Sequence, residues 1–146
     1  MSSKHDLGPH LMLDLYGCPK DKLSDPSFLF NFLDSFPARI GMTKVATPYV
    51  FRYQGKNDQE SGYSGVVLIA ESHISIHTFP DKDHVFVDIF SCKQFDTGHV
   101  RAELIKEFGA ISHEETLLNE GIEYPNNISG ATHLMSEERQ VAQIHG

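Results

Sequence analysis

Apolar and polar residues alternate along "HLMLDLYG" (His10 to Gly17), the pattern of a strand with one buried face. The period changes in "SDPSFLFNFLDSF", where apolar side chains at 28, 29, 30, 32, 33 and 36 predict an amphipathic helix. Ser24 or Asp25 stands at its N-cap, and Pro26 takes the first helical position, where a backbone N–H would go unbonded anyway. "VATPYVFRYQ" (Val45 to Gln54) is rich in β-branched and aromatic residues and predicts a strand, with Pro48 marking an edge or a bulge. After the polar loop "GKNDQESG" come "YSGVVLIAES", "HISIHTF" and "HVFVDIFSC", three strands separated by little beyond the turn "PDKD". The last is apolar at nearly every position, which predicts cover on both faces. "DTGHVRAELIKEFG" predicts a second helix, capped by Asp96 or Thr97 and closed by Gly109, and Ile111 to Leu118 a last strand.

No repeat or linker interrupts this series, so residues 1–125 are expected to form one domain; residues 126–146, without periodicity, are expected to be a mobile tail. Strands are grouped rather than alternating with helices. That predicts an α+β fold, a two-layer α/β sandwich in which an antiparallel-rich sheet carries its helices on one face.

Composition narrows the function classes. A length of 146 residues with 40% hydrophobic content suits one folded domain. The net charge of -8, without a Lys/Arg cluster, argues against a nucleic-acid or acidic-membrane partner. No stretch reaches the roughly 18 to 20 apolar residues of a membrane helix. "MSSKHDLGPH" lacks the apolar core of a secretory signal, so Cys18 and Cys92 are expected as reduced thiols in a cytoplasm.

The polar residues inside "IAESHISIHTFP" (Ile69 to Pro80) are what packing alone does not explain. On a strand His73, Ser75 and His77 share one face, and Ile74, Ile76 and Thr78 the other. A merely solvated face is the plainest reading. A metal shared by His73 and His77 fails on distance: four strand residues span about 13 Å, against bonds of ~2.0–2.1 Å from zinc to nitrogen. A hydrolase serine lacks its Gly-x-Ser-x-Gly elbow, and the sequence sets no base and acid around Ser72. Cys92 with His77 could pair as thiol and base only if the fold brought them together.

Glu71–Ser72 offers a different chemistry. A serine hydroxyl can attack the preceding carbonyl, turning the amide into an ester. Elimination then cuts the chain and leaves an N-terminal pyruvoyl group. Its ketone can form a Schiff base with a substrate amine and act as electron sink in a decarboxylation. Glu60–Ser61 repeats the dipeptide, but in a polar loop with no histidine following closely.

"YSGVVLIAESHISIHTFPDKDHVFVDIFSC" (Tyr63 to Cys92) resembles the prokaryotic S-adenosylmethionine decarboxylases, self-processing pyruvoyl enzymes of polyamine synthesis. The match keeps Ser-Gly before a strand, Glu-Ser-His, His-Thr-aromatic-Pro-acid and Asp-x-Phe-x-Cys; with "HLMLDLYGC" it covers about the first 95 residues. The resemblance implies cleavage between Glu71 and Ser72 into a β chain of residues 1–71 and an α chain of 72–146. Ser72 would supply the pyruvoyl group and the Schiff base, with no metal and no pyridoxal phosphate. Ser64 and His77 match processing positions, His77 as proton acceptor in the elimination. Cys92 matches the proton donor to the substrate carbon; a thiol with a reference pKa of ~8.5 can serve as an acid near neutrality. Cys18 matches no role and reads as a packing residue. For substrate binding, Tyr53, with Phe51 second, matches the aromatic residue that stacks on adenine, and Asp81 replaces the glutamate expected at the ribose hydroxyls.

Phe79 stands for the usual tryptophan, Lys93 for a glycine, and the loop Gly55 to Gly62 is long. The resemblance implies a cytoplasmic homodimer of processed αβ protomers that makes the aminopropyl donor for spermidine. Relatives with the same core act on arginine or ornithine, and an inactive paralogue serving as subunit or regulator is a third reading.

Overall fold

Seven antiparallel strands form one sheet in a computed structural model of the chain, which describes residues 8–118. The expected tail, residues 126–146, lies outside the described residues. In chain order the elements are β1 (His10–Tyr16), α1 (Lys20–Leu23), α2 (Pro26–Arg39), β2 (Thr43–Lys44), β3 (Tyr49–Tyr53), β4 (Gly62–Ala70), β5 (Ser72–Phe79), β6 (His84–Ser91), α3 (Thr97–Phe108) and β7 (Ser112–Leu118). Strand order is β2-β4-β5-β6-β1-β7, with β3 beside β2 on the free edge of β4. The result is the α+β two-layer sandwich that the pattern of the chain predicts.

One face of the sheet is built for burial. Leu11, Leu13 and Leu15 from β1, Val67 and Ile69 from β4, Ile74 and Ile76 from β5, and Val85, Val87 and Ile89 from β6 point the same way. They meet Leu29, Phe32, Leu33 and Phe36 of α2 and Val100, Leu104 and Phe108 of α3 in a single core. At β4, a side chain on Gly65 would come within 2.7 Å of Leu33, so the glycine lets α2 lie close against the strand. Thr78, also on the buried face, satisfies its hydroxyl by donating to the Leu23 carbonyl at 3.0 Å. Cys18 is buried, which pushes its thiol up to about 11 and keeps it protonated.

The caps fall where the residue types direct. The Asp25 carboxylate accepts from the N–H groups of Ser27 and Phe28 at the start of α2. Asp96 accepts from His99 at the start of α3, and Gly109 ends that helix in the left-handed region at φ 65°. Helices α2 and α3 are tied on the outside by Arg39, which pairs with Glu103 and Glu107.

Two expectations are corrected, and one element goes unannounced in the sequence. The strand predicted over Val45 to Gln54 starts only at Tyr49, because Pro48 has no N–H to give the ladder; Thr43–Lys44 pairs separately with β4. The short helix α1 carries no period to announce it. Finally, the described residues do not cover β6 on both faces: Val85, Val87, Ile89 and Ser91 are buried, while His84, Phe86, Asp88 and Phe90 are only half-buried. Among the described residues the second sheet face is open, and it carries Ser64, His73 and His77.

Candidate active site

Strand register fixes which polar groups meet on the open face. Ser64 of β4 lies opposite His77 of β5, which lies opposite Phe86 of β6. Two rows further, Leu68, His73, Phe90 and His10 are aligned across four strands. The side chains of both rows share the open face because directly opposed antiparallel residues point to the same side.

The predicted residues divide into two groups. The first stands toward the C-terminal end of β5. Ser64 Oγ and His77 Nδ1 share a hydrogen bond of 2.8 Å, which orients the ring and leaves Nε2 as its available nitrogen. Burial lowers the His77 pKa from its ordinary value of 6.5, and the negative charge of Asp88 only partly opposes this. Phe51, Tyr53, Ser64, His77, Thr78 and Phe79 line a cavity of about 310 Å³. Its walls are mostly apolar, so a flat ring with a few polar edges suits it better than a charged chain. Phe51 and Tyr53 are exposed although they are aromatic, as no described residue covers β3 on this face.

The second group sits at the hairpin between β4 and β5. Residues Ile69 and Ser72 pair, so Ala70 and Glu71 form the two-residue tip. Ser72 has φ 146°, a torsion that favours glycine and strains a serine. The Glu71 carbonyl oxygen accepts a hydrogen bond of 3.1 Å from the backbone N–H of Cys92, which follows β6. This donor polarises the carbonyl that a neighbouring hydroxyl would attack. Cys92 carries a free, half-buried thiol beside this tip.

The hairpin also holds residues whose part the sequence does not announce. His73 Nδ1 lies 3.3 Å from Ser72 Oγ, and its Nε2 lies 3.6 Å from Asp88 Oδ2. The other Asp88 oxygen is hydrogen-bonded to His10 Nε2. Burial alone would raise the Asp88 carboxyl, but the hydrogen bond to His10 and the nearby His73 imidazole hold it well below the usual carboxylate range. The expectation that no base and acid surround Ser72 is therefore corrected. The signal in the sequence is faint: His73 is visible beside Ser72, but Asp88 joins it only through the register of β5 against β6.

What the fold does not join within one chain is equally informative. His77 is five residues along β5 from Ser72, roughly 16 Å at the strand rise. Cys92 lies beyond the far end of β6 from Phe86, the residue opposite His77, so the thiol and His77 do not pair within the chain. Asp81 is not part of the aromatic cavity. It lies in the adjoining 3-10 turn, in a polar hollow with Arg52 and Asp58, and its carboxylate pairs with Lys20 at 2.6 Å.

Comparison with known proteins gives a consistent result. The sequence model described as S-adenosylmethionine decarboxylase matches residues 9–120. The S-adenosylmethionine decarboxylase proenzyme of Pyrococcus furiosus is 30% identical over 135 residues, covering 91% of this chain and 92% of that protein. A proenzyme of the same description from Prochlorococcus marinus is 34% identical over 108 residues, covering 73% and 82%. The crystal structure of the adenosylmethionine decarboxylase from Aquifex aeolicus superposes with a TM-score of 0.67 at 28% identity, covering 84% of this chain and 98% of that one.

Proposed function

The chain belongs to the S-adenosylmethionine decarboxylase family, and from that premise we propose that it is a self-processing pyruvoyl enzyme acting on S-adenosylmethionine. Its product would be the decarboxylated aminopropyl donor used in spermidine synthesis. The observation that carries this reading is the hairpin tip, where a strained serine follows a carbonyl already held by the Cys92 N–H.

Self-cleavage would divide the chain into residues 1–71 and 72–146. Attack of Ser72 Oγ on the Glu71 carbonyl carbon places negative charge on the oxygen bonded to the Cys92 N–H, which supports that charge as an oxyanion donor. Cutting the Glu71–Ser72 bond abolishes the torsion at φ 146°, so the strain at Ser72 favours the cut. Elimination of the resulting ester needs a base for the Ser72 α-proton. His77 has the properties of such a base, since donating Nδ1–H to Ser64 leaves a lone pair on Nε2 and burial favours the neutral ring.

The roughly 16 Å between His77 and Ser72 makes a second copy necessary to this reading. The open face, with exposed Tyr49, Phe51, Tyr53 and Leu68, supports a homodimer packed face to face. The Ser64–His77 group of one protomer would then serve the Ser72–Cys92 group of its partner.

The pyruvoyl ketone would supply an electrophile for the substrate amine and an electron sink for the departing carboxylate. The chain's own residues do the rest. Cys92 stands at the hairpin to return a proton to the substrate carbon, a role that needs a reduced thiol and fits a cytoplasmic location. Phe51 and Tyr53 offer faces for adenine in the cavity they share with His77. Asp81 would bond the ribose hydroxyls while remaining paired with Lys20.

That pairing is the observation favouring a second reading, in which the same chemistry serves arginine or ornithine. Purified protein incubated separately with carboxyl-labelled S-adenosylmethionine, arginine and ornithine tests the choice. Release of labelled CO₂ from S-adenosylmethionine is expected. Release from either of the others would reassign the substrate, and release from none by a cleaved chain would make it an inactive paralogue.

A further inference from the structure

We propose that His73, held by Asp88, is the catalytic base that takes the Ser72 hydroxyl proton and drives the first step of self-cleavage. The proposal rests on the self-processing reading and adds a residue to it. His77 cannot fill this role from within the chain, for the distance already given, and in the proposed dimer it is assigned to the later elimination. Among the described residues, His73 is the nitrogen base within hydrogen-bond reach of Ser72 Oγ, at 3.3 Å.

The arrangement around His73 orients it for that purpose. Asp88 bridges two imidazoles, with one oxygen on His10 Nε2 and the other 3.6 Å from His73 Nε2. An ionised carboxylate at Nε2 favours the tautomer with the proton there, leaving the Nδ1 lone pair facing the hydroxyl. His73 also stacks on Phe90 with ring centroids 6.3 Å apart, while His10 meets the same ring edge-on at 5.1 Å. The ring plane is thus set from one side by Phe90 and its tautomer by Asp88. Asp88 and His10 are positioning residues; they do not touch the reacting atoms.

The step balances without any co-reactant. The Ser72 oxygen bonds to the Glu71 carbonyl carbon as its proton passes to His73 Nδ1. The carbonyl oxygen takes the negative charge against the Cys92 N–H. When the Glu71 carbon–nitrogen bond breaks, the charge returns to the carbonyl, and His73 gives its proton to the departing amine. The product is an ester on Ser72, the substrate of the elimination assigned to His77.

Cell-free synthesis followed by intact-mass measurement over time tests this, because it reads chain cleavage and not decarboxylation. Wild type is expected to yield fragments 1–71 and 72–146. His73→Gln, unable to shuttle a proton, should cleave about 10²–10⁴-fold more slowly with an unchanged far-ultraviolet dichroism spectrum. His73→Ala should regain cleavage in added imidazole, as no packing defect would, and Asp88→Asn should slow cleavage at least tenfold. A folded His73→Gln chain should also resist hydroxylamine, since no ester forms, whereas His77→Ala should accumulate the ester and be cut by hydroxylamine at Glu71. Should His73→Gln not fold, His73→Asn and the imidazole rescue decide by the same criteria. Cleavage of the folded variants within about twofold of wild type, with no response to imidazole, overturns the role of His73 and leaves the self-processing reading standing. A wild-type chain that never cleaves overturns both.

Discussion

At Cys92 a candidate reactive side chain and a backbone donor with a different part in the proposed reaction belong to one residue, and substitution can separate the two. The bond to the Glu71 carbonyl comes from the Cys92 main-chain N–H, so Cys92→Ala removes the thiol and spares the donor. Self-cleavage of Cys92→Ala should therefore proceed, while turnover falls by about 10²-fold or more, the usual loss of a general acid; intact mass and labelled-CO₂ release on one sample check the split. For His77 the sign of the pH dependence follows from burial. Protonation removes the Nε2 lone pair, so ester elimination slows as pH falls; the lowered pKa places the midpoint of that acid limb below 6.5. Hydroxylamine-sensitive ester measured after synthesis at several pH values gives the midpoint directly. Candidate residues were legible where a local motif marked them, as for Ser72, His77 and Cys92. His73 with Asp88 and Asp81 with Lys20 were not legible. Those pairs are separated by 15 and 61 positions and meet only after strands and turns have packed.

At the level of elements, period and cap chemistry placed β1, α2 and α3, because each has an alternating or helical apolar face and both helices have matching cap residues. The limits of β3 and the existence of α1 escaped, since Pro48 cuts a run that otherwise reads as strand and a one-turn helix has no measurable period. The cover of the second face of β6 was misread for a different reason: apolar residues on both faces of β6 do not say whether Phe86 and Phe90 pack on this chain or on another. Element packing has its own measurable cost. Ile76 is fully buried at the centre of β5, so Ile76→Ala should destabilise the fold by roughly 2–5 kcal/mol. Asp25→Ala, which deletes two cap bonds at the start of α2, should cost about 1 kcal/mol. Urea unfolding of each variant in a Ser72→Ala background compares them without a cut chain.

Among the described residues the two candidate groups, Ser64–His77 and Ser72–Cys92, lie apart, and on the proposed reading their separation leads to a test of assembly. In a face-to-face homodimer, a His77→Ala chain keeps its own Ser72 and can borrow His77 from its partner. A Ser72→Ala chain lends that histidine but cannot be cut. Each variant alone should fail to form a finished α chain. Co-expression with distinguishable tags should yield a cleaved α chain from the His77→Ala partner only; no cleavage in the mixture would oppose a site shared between protomers. All of this depends on Ser72 becoming a ketone. The most direct measurement is the mass of the 72–146 fragment from wild-type protein, with and without borohydride. The account predicts a fragment lighter by one ammonia than a serine-started chain and heavier by two hydrogens after reduction. An uncut chain, or a fragment that begins with unmodified serine in protein that decarboxylates its substrate, would contradict it.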